Sequence, residues 1–224
     1  MIIGNGLIAS LFKDYDREDT IFFASGVSNS LETDKNQFLR EENLIRNTIK
    51  ENPDQFFIYF STCSIYDSSK TDSPYVLHKL KMEQIIAELC PKYLILRVSN
   101  VVGNGGNPNL LMNYLVRSVR NNEQINVHTK ATRNLIDADD VRGLVFYLLE
   151  KGVSNKIINL AYPTNYSIIE ILEIIEHFFA VKLNLNLIKS GSGYDISIAD
   201  IDGYFTNRNK ETYLTNILEK YYKD

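Results

Sequence analysis

The chain has 224 residues, 44% of them hydrophobic, with 24 Lys and Arg against 28 Asp and Glu for a net charge of −4. That suits one mid-sized domain with a true core and a small appended lobe, and gives no reason to expect nucleic acid as a partner. Two cysteines, Cys63 and Cys90, argue against a disulfide framework or a structural metal site, and without a leader-like or membrane-length apolar run the chain is expected in the cytoplasm.

Met1-Ile2-Ile3 reads as a short strand entering Gly4-Asn5-Gly6-Leu7-Ile8-Ala9, a G-x-G-x-x-A turn that opens a helix. Gly4 and Gly6 permit a tight turn and close approach of the backbone to a pyrophosphate. The Leu7 and Ile8 amides at the helix start favour the anion, and Ala9 lets the helix pack on a sheet. Glycine turns also join strands to helices for structural reasons alone. The charged stretch Asp14–Asp19 leads to a strand near 20–25, a polar helix near 36–52 and the apolar strand Phe56–Phe60. A helix from about Tyr75 to Leu89 is stopped by Pro91, and Tyr93–Val98 is a buried strand. Gly103–Pro108 is a loop, Leu110–Arg120 a helix, Gln124–His128 a strand, Asp139–Lys151 a helix and Lys156–Ala161 a strand. Ser167, with Glu170 three residues on, forms a capping box for a helix to about Ala180. Asp139-Asp140 reads as the cap of the helix it opens. Helices alternating with strands argue a parallel sheet.

The chemistry concentrates after Phe60. Ser61-Thr62-Cys63-Ser64 is a hydroxyl cluster at a strand end, and Tyr75 and Lys79 follow in Ser73-Pro74-Tyr75-Val76-Leu77-His78-Lys79. Four residues apart on a helix, Tyr75 and Lys79 share one face. An ammonium near a phenol favours the phenolate. At ~4 Å and an effective dielectric of ~20 the attraction is roughly 4 kcal/mol, an upper bound of about three pKa units. Thr62 is placed to hold a carbonyl or alcohol oxygen against that phenol. A tyrosine and lysine at this spacing also make an ordinary exposed helical pair, so the order of segments carries the reading.

Together these segments resemble the extended short-chain dehydrogenase/reductase family, the epimerases, dehydratases and reductases of nucleotide-activated sugars. Ile21-Phe22-Phe23-Ala24-Ser25-Gly26 resembles the strand ending beside the cofactor's ribose and nicotinamide, which gives Ala24 and Ser25 cofactor contacts. Glu42-Asn43-Leu44-Ile45 is similar to the helix that follows. Ser61-Thr62-Cys63-Ser64-Ile65-Tyr66 resembles the S-S/T-x-x-V-Y strand end, with Thr62 at the catalytic hydroxyl. Leu96–Gly103 resembles L-R-x-x-N-V-Y-G, and Thr132–Val141 resembles T-R-x-F-I-x-x-x-D-V. The resemblance implies a shortened Rossmann-like, doubly wound parallel sheet over residues 1–161, with 101–133 contributing to a small substrate lobe formed by 162–224. It implies NAD or NADP as cofactor, a nucleotide sugar as substrate and a homodimer. Catalysis would rest on Thr62, Tyr75 and Lys79, cofactor binding on Gly4, Gly6, Leu7, Ile8, Ala24, Ser25 and Lys79, and substrate binding on Asn100 and Arg133. Members that eliminate water across C5–C6 carry an Asp-Glu pair where this chain has Cys63 and Ser64, which disfavours a dehydratase.

One departure stands out. The fingerprint places an acidic residue about 20 residues beyond the glycines, on a second strand. Here the segment around Ile21 matches the fourth strand, so the second and third strands are read as lacking. The leading expectation is a 4-epimerase or 4-keto reductase; the alternative is a degenerate member that binds a nucleotide sugar or a protein without redox turnover. Of the remaining candidates, Cys63 reads as a small buried residue rather than a proton carrier. His78 reads as a surface residue off the Lys79 face, and His128 as a surface strand histidine. Arg133 offers forked donors to a diphosphate, or else pairs with Asp137 or Asp139. Asn100 either lines the substrate pocket or closes a turn before Gly103.

Overall fold

The computed structural model describes residues 1–15, 17–105, 107–206 and 209–223; Asp16 of the charged stretch and Gly106 of the loop after Gly103 lie outside them. The first half runs β1 (Ile2–Ile3), α1 (Leu7–Ser10), β2 (Thr20–Phe23), α2 (Lys35–Glu51), β3 (Phe56–Thr62), α3 (Pro74–Leu89), β4 (Tyr93–Val98) and β5 (Asn100–Val102). Then come α4 (Leu111–Arg120), β6 (Ile125–His128), β7 (Thr132–Arg133), β8 (Leu135–Asp137), α5 (Ala138–Glu150) and β9 (Lys156–Leu160). The chain closes with β10 (Tyr166–Ser167), α6 (Ile168–Phe179), β11 (Leu185–Ile188) and α7 (Lys210–Tyr221).

Five strands build one parallel sheet in the order β1-β2-β3-β4-β9. Its central strands are apolar on both faces because helices cover both. Residues of one parity, among them Ile21, Phe23, Phe57, Tyr59 and Ile95, pack against Ile45 of α2 and Met82 and Ile86 of α3. Those of the other parity, such as Phe22, Ile58, Phe60 and Leu96, pack against Phe12, α4 and α5 in a core that runs on into α6 and α7. The period of two along each strand thus sorts the side chains into two layers.

The order carries a topological oddity. The connections β1-α1-β2 and β2-α2-β3 step across the sheet in the same direction. Yet Phe12, just after α1, stacks on Phe22 at 4.7 Å on one face, while α2 lies on the other. The two crossovers therefore have opposite hands. Right-handed connections are the rule; α2 and α3 share a face, so β2-α2-β3 and β3-α3-β4 have one hand and the short crossover β1-α1-β2 the other. β1 is a two-residue edge strand, a length that offers little to pair with.

Shorter pairs stand outside the sheet: β5 with β8 and β6 with β11 in parallel, β7 with β10 antiparallel. The expected capping box is present, Ser167 Oγ accepting from the Glu170 amide at 3.0 Å and Glu170 Oε2 from the Ser167 amide at 2.6 Å. The reading of Asp139-Asp140 as a cap is corrected: Asp137 caps α5, accepting from the Asp139 amide at 2.9 Å, and the other two occupy the first turn.

Candidate active site

The glycine turn, Ala24-Ser25, Thr62 and Asn100 follow the carboxyl ends of β1, β2, β3 and β4, where ligands bind in open α/β folds, while Arg133 lies on β7 outside that sheet. After β1, Gly4 adopts φ +128°, and a Cβ there would collide with the Ala24 carbonyl oxygen and stand 3.0 Å from the Ser25 amide nitrogen. Glycine is required because the β1 turn presses on the β2 turn. At Gly6 a Cβ would meet nothing within 4 Å, and no side chain caps the helix start that follows. Open space beside uncapped amides fits a pyrophosphate at Gly4, Gly6, Leu7 and Ile8. Gly103 closes against this turn, where a Cβ would lie 2.9 Å from Leu7 Cδ1. Arg40 Nη2 donates to the Ser25 carbonyl at 3.0 Å and fixes the β2 turn.

Thr62 ends β3, and its Oγ1 accepts from the Ser64 amide at 3.0 Å, capping a 3-10 turn at Cys63–Tyr66. Tyr75 opens α3 just after Pro74, where proline's fixed φ suits the first helical turn. Tyr75 is buried in a small cluster with Val27 and Val76. Lys79 follows one turn later and is only 2% exposed. The three share one region, but among the described residues no hydrogen bond joins Tyr75 to Lys79 or to Thr62.

Lys79 is instead engaged from the opposite side. Its Nζ donates to Glu41 Oε1 at 2.9 Å and to the Tyr59 hydroxyl at 3.0 Å. Glu41, fully buried on α2, also accepts from the Val27 amide at 2.7 Å and the Tyr59 hydroxyl at 2.7 Å. His78 Nε2 lies 3.0 Å from Glu41 Oε2; a carboxylate only accepts, so that nitrogen carries the proton. Burial by itself would push the Glu41 carboxyl up. The Lys79 ammonium, with donors from His78, Val27 and Tyr59, outweighs it and holds the group far below the usual carboxylate range. Burial, and next the Glu41 charge, hold the Tyr59 phenol well above its ordinary range, so it stays a donor. The loop after β2 closes over the ammonium: a Cβ at Gly26 would collide with Lys79 Nζ and stand 2.8 Å from Glu41 Oε1.

One turn further along α3, Glu83 forms a second buried ion pair, with Arg97 of β4 at 2.6 Å, and accepts from Ser61 Oγ at 2.5 Å. Arg97 also donates to the Tyr66 hydroxyl at 3.1 Å. Cys63 Sγ donates to the Arg97 carbonyl at 3.0 Å, and burial pushes its thiol up to about 12, which leaves it without acid–base use near neutrality.

On the far side, Asn100 Nδ2 donates to the Asn134 carbonyl at 2.7 Å, helping to join β5 to the segment before β8. Arg133 donates to its neighbours' carbonyls at Thr132 and Ser192, while Asp137 and Asp139 pair with Lys220, so the surface-pair alternative for Arg133 does not hold. His128 is an exposed residue of β6, with Nδ1 3.2 Å from Ser190 Oγ. Lys70, half-buried just before α3, is pushed down by burial, with Asp67 opposing and Arg133 adding repulsion. Two cations thus face the same quarter of the molecule. A separate cleft of about 790 Å³ opens between α6 and α7, bordered by Glu173, His177 and Phe178 and by none of the candidate catalytic, cofactor or substrate residues.

A family model described as NAD dependent epimerase/dehydratase matches residues 5–161. The chain belongs to that family. No curated protein matches the sequence. Among solved structures, UDP-glucuronic acid 4-epimerase from Bacillus cereus, in complex with NAD, superposes with a TM-score of 0.73 at 21% identity, over 98% of this chain and 76% of that one. RMD from Pseudomonas aeruginosa, complexed with NADPH, gives 0.74 at 16% identity, over 97% and 86%. UDP-N-acetylglucosamine 4-epimerase from Methanobrevibacter ruminantium M1, in complex with UDP-N-acetylmuramic acid, gives 0.74 at 17%, over 98% and 81%. At these identities the likeness is one of fold.

In this epimerase/dehydratase-family chain the structure gathers Gly4, Gly6, Ala24, Ser25, Thr62, Tyr75 and Lys79 beyond the carboxyl ends of β1, β2 and β3. The placement of His78 at the surface is corrected: it is buried, stacked on Phe38 at 4.7 Å and bonded to Glu41. Glu41 itself was missed. It sits in the run Arg40-Glu41-Glu42-Asn43, which reads as a solvated helix face.

Proposed function

We propose that the chain is an NAD(P)-dependent oxidoreductase of nucleotide-linked sugars, acting at C4 as an epimerase or keto reductase. The observation that carries this is Tyr75 and Lys79, one turn apart on α3, lying beyond the Thr62 end of β3 at the same carboxyl end of the sheet as the glycine turn. When bound, the nicotinamide accepts or returns hydride at the sugar carbon. Tyr75 moves the hydroxyl proton, Thr62 holds the oxygen against it, and Lys79 contacts the cofactor ribose. Gly4, Gly6 and the Leu7 and Ile8 amides hold the pyrophosphate, with Ala24 and Ser25 along the nicotinamide side. Arg133, with Lys70 near it, binds the sugar's diphosphate, and Asn100 contributes to binding the same substrate.

We read residues 1–161 as the cofactor-binding core and 162–224 as the lobe over the substrate. The sheet order supports a fold shortened by two strands. Were β2 and β3 the second and third strands of a 3-2-1-4-5-6 sheet, β4 would lie beside β1; it lies beside β3 instead. Joining the first strand and its helix directly to the fourth strand yields a crossover of the wrong hand, as found. Of the apolar positions Leu80, Met82, Ile85, Ile86 and Leu89 on α3, Met82, Ile85 and Ile86 enter the core, while Leu80 and Leu89 stay exposed, as do Leu77 on the same helix and Leu39 on α2. A homodimer through α2 and α3 would cover them.

The burial of Lys79 beneath Gly26 favours a second reading, a member that binds a nucleotide sugar or a protein without turnover. Mixing the NAD-loaded protein with UDP- and dTDP-hexoses separates the two. Appearance of a C4 epimer or transient NADH absorbance supports the enzyme; binding of the sugar with neither supports the second reading.

A further inference from the structure

Lys79 offers three N–H donors. Two are engaged, by Glu41 Oε1 at 2.9 Å and the Tyr59 hydroxyl at 3.0 Å, which leaves one. Glu41 in turn is anchored by the Val27 amide and His78, so its carboxylate ties α3 to α2, β3 and the loop after β2. A free lysine carries the rotamer entropy of a four-carbon stem. Here that stem is fixed at its tip and its charge compensated by one carboxylate, in a place with almost no solvent. Gly26 completes the arrangement, since any Cβ there would collide with the ammonium.

We propose that Glu41 is the positioning residue of this site, acting through Lys79: it holds the ammonium at one point beneath Gly26 so that its remaining N–H is directed to the cofactor ribose. The inference rests on the cofactor role given to Lys79 above. Without the Glu41 charge the ammonium loses its counter-ion and its fixed position, and its contribution to cofactor binding goes with it.

The test compares wild type, Glu41→Gln, Gly26→Ala and Glu41→Gln/Lys79→Met, the last removing both charges together. NADH affinity is read by fluorescence titration, and the reactivity of each lysine amine by acetic anhydride labelling and peptide mass spectrometry. Glu41→Gln and Gly26→Ala should each weaken NADH binding about tenfold and raise labelling of Lys79 at least tenfold, other lysines keeping their wild-type rates. Adding Lys79→Met to Glu41→Gln should change NADH affinity by less than about twofold, because Lys79 no longer contributes. A purely structural Glu41 would give a different pattern, in which Lys79→Met weakens binding on the Glu41→Gln background as strongly as an intact lysine contact would. That outcome, or Lys79 labelling unchanged in both single variants, overturns the proposal. A wild type that binds no NADH contradicts the cofactor reading instead, and the labelling comparison then decides the role of Glu41 alone.

Discussion

Lys79 Nζ and Glu41 Oε1 lie 2.9 Å apart, and neither side chain has appreciable access to solvent. The lysine that family resemblance assigns to catalysis is therefore also half of a buried ion pair. Removing one partner of such a pair costs about 3–5 kcal/mol, because the other charge is stranded. Lys79→Met should accordingly lower the melting temperature by roughly 10 °C in a chain of this size. Scanning calorimetry checks this, and Glu41→Gln/Lys79→Met should recover part of the loss.

The same pair sets an acid response. Glu41 is held far below its ordinary value of 4.5 in the folded protein, against its burial, chiefly by the Lys79 charge. A carboxyl depressed by folding stabilises the protein fully above its unfolded value and loses that contribution as pH falls towards the folded one. The melting-temperature gap between wild type and Glu41→Gln should thus be constant from about pH 7 to 5 and narrow below about 4.5.

Cys63 and Cys90 should be inert. Burial raises their thiols to about 12 and about 11. A disulfide reagent at pH 8 should titrate neither in the native protein and both in denaturant. Turnover after Cys63→Ser should remain within about twofold of wild type, as expected of a small buried residue outside the reaction.

The edge position of β1 bears on cofactor choice. With no strand beyond β1 among the described residues, the acidic residue that reads the adenosine ribose in the usual fingerprint has no counterpart beside the glycine turn. Discrimination that rests on such a contact should collapse, and NADH and NADPH should bind within about tenfold of each other. Parallel fluorescence titrations measure the ratio.

Leu77 on α3 is 53% exposed and Leu39 on the neighbouring α2 is 55% exposed. If α2 and α3 form a dimer face, Leu77→Glu should shift the sedimentation coefficient from dimer to monomer at micromolar concentration. A wild type that sediments as a monomer speaks against that face.

Much of the sheet and of the site was legible because its signals are local. Glycines mark the β1 turn, Pro74 marks the start of α3, and uninterrupted apolar runs mark β3 and β4. Strands β5, β8 and β11 were not read, since three or four residues carry too little periodicity, and helix α7 was not read either. Glu41 shows the deeper limit. Its neighbours are charged, its partner Lys79 is 38 residues away, and burial comes only when α2 docks on α3 and β3. The lysine's spacing from Tyr75 fixed the shared helix face but said nothing of the carboxylate behind it. The hand of β1-α1-β2 is likewise a property of assembly, visible once the faces of α1 and α2 are known.

The central claim is that Tyr75 moves the proton when hydride leaves or reaches the sugar. Single-turnover absorbance at 340 nm, with NAD-loaded protein and a reactive nucleotide sugar, tests it in wild type and Tyr75→Phe. General acid–base catalysis contributes about 10²–10⁴-fold, so the variant should react slower by that order while its melting temperature and nucleotide-sugar affinity hold. A Tyr75→Phe protein that reduces NAD at the wild-type rate would contradict the account.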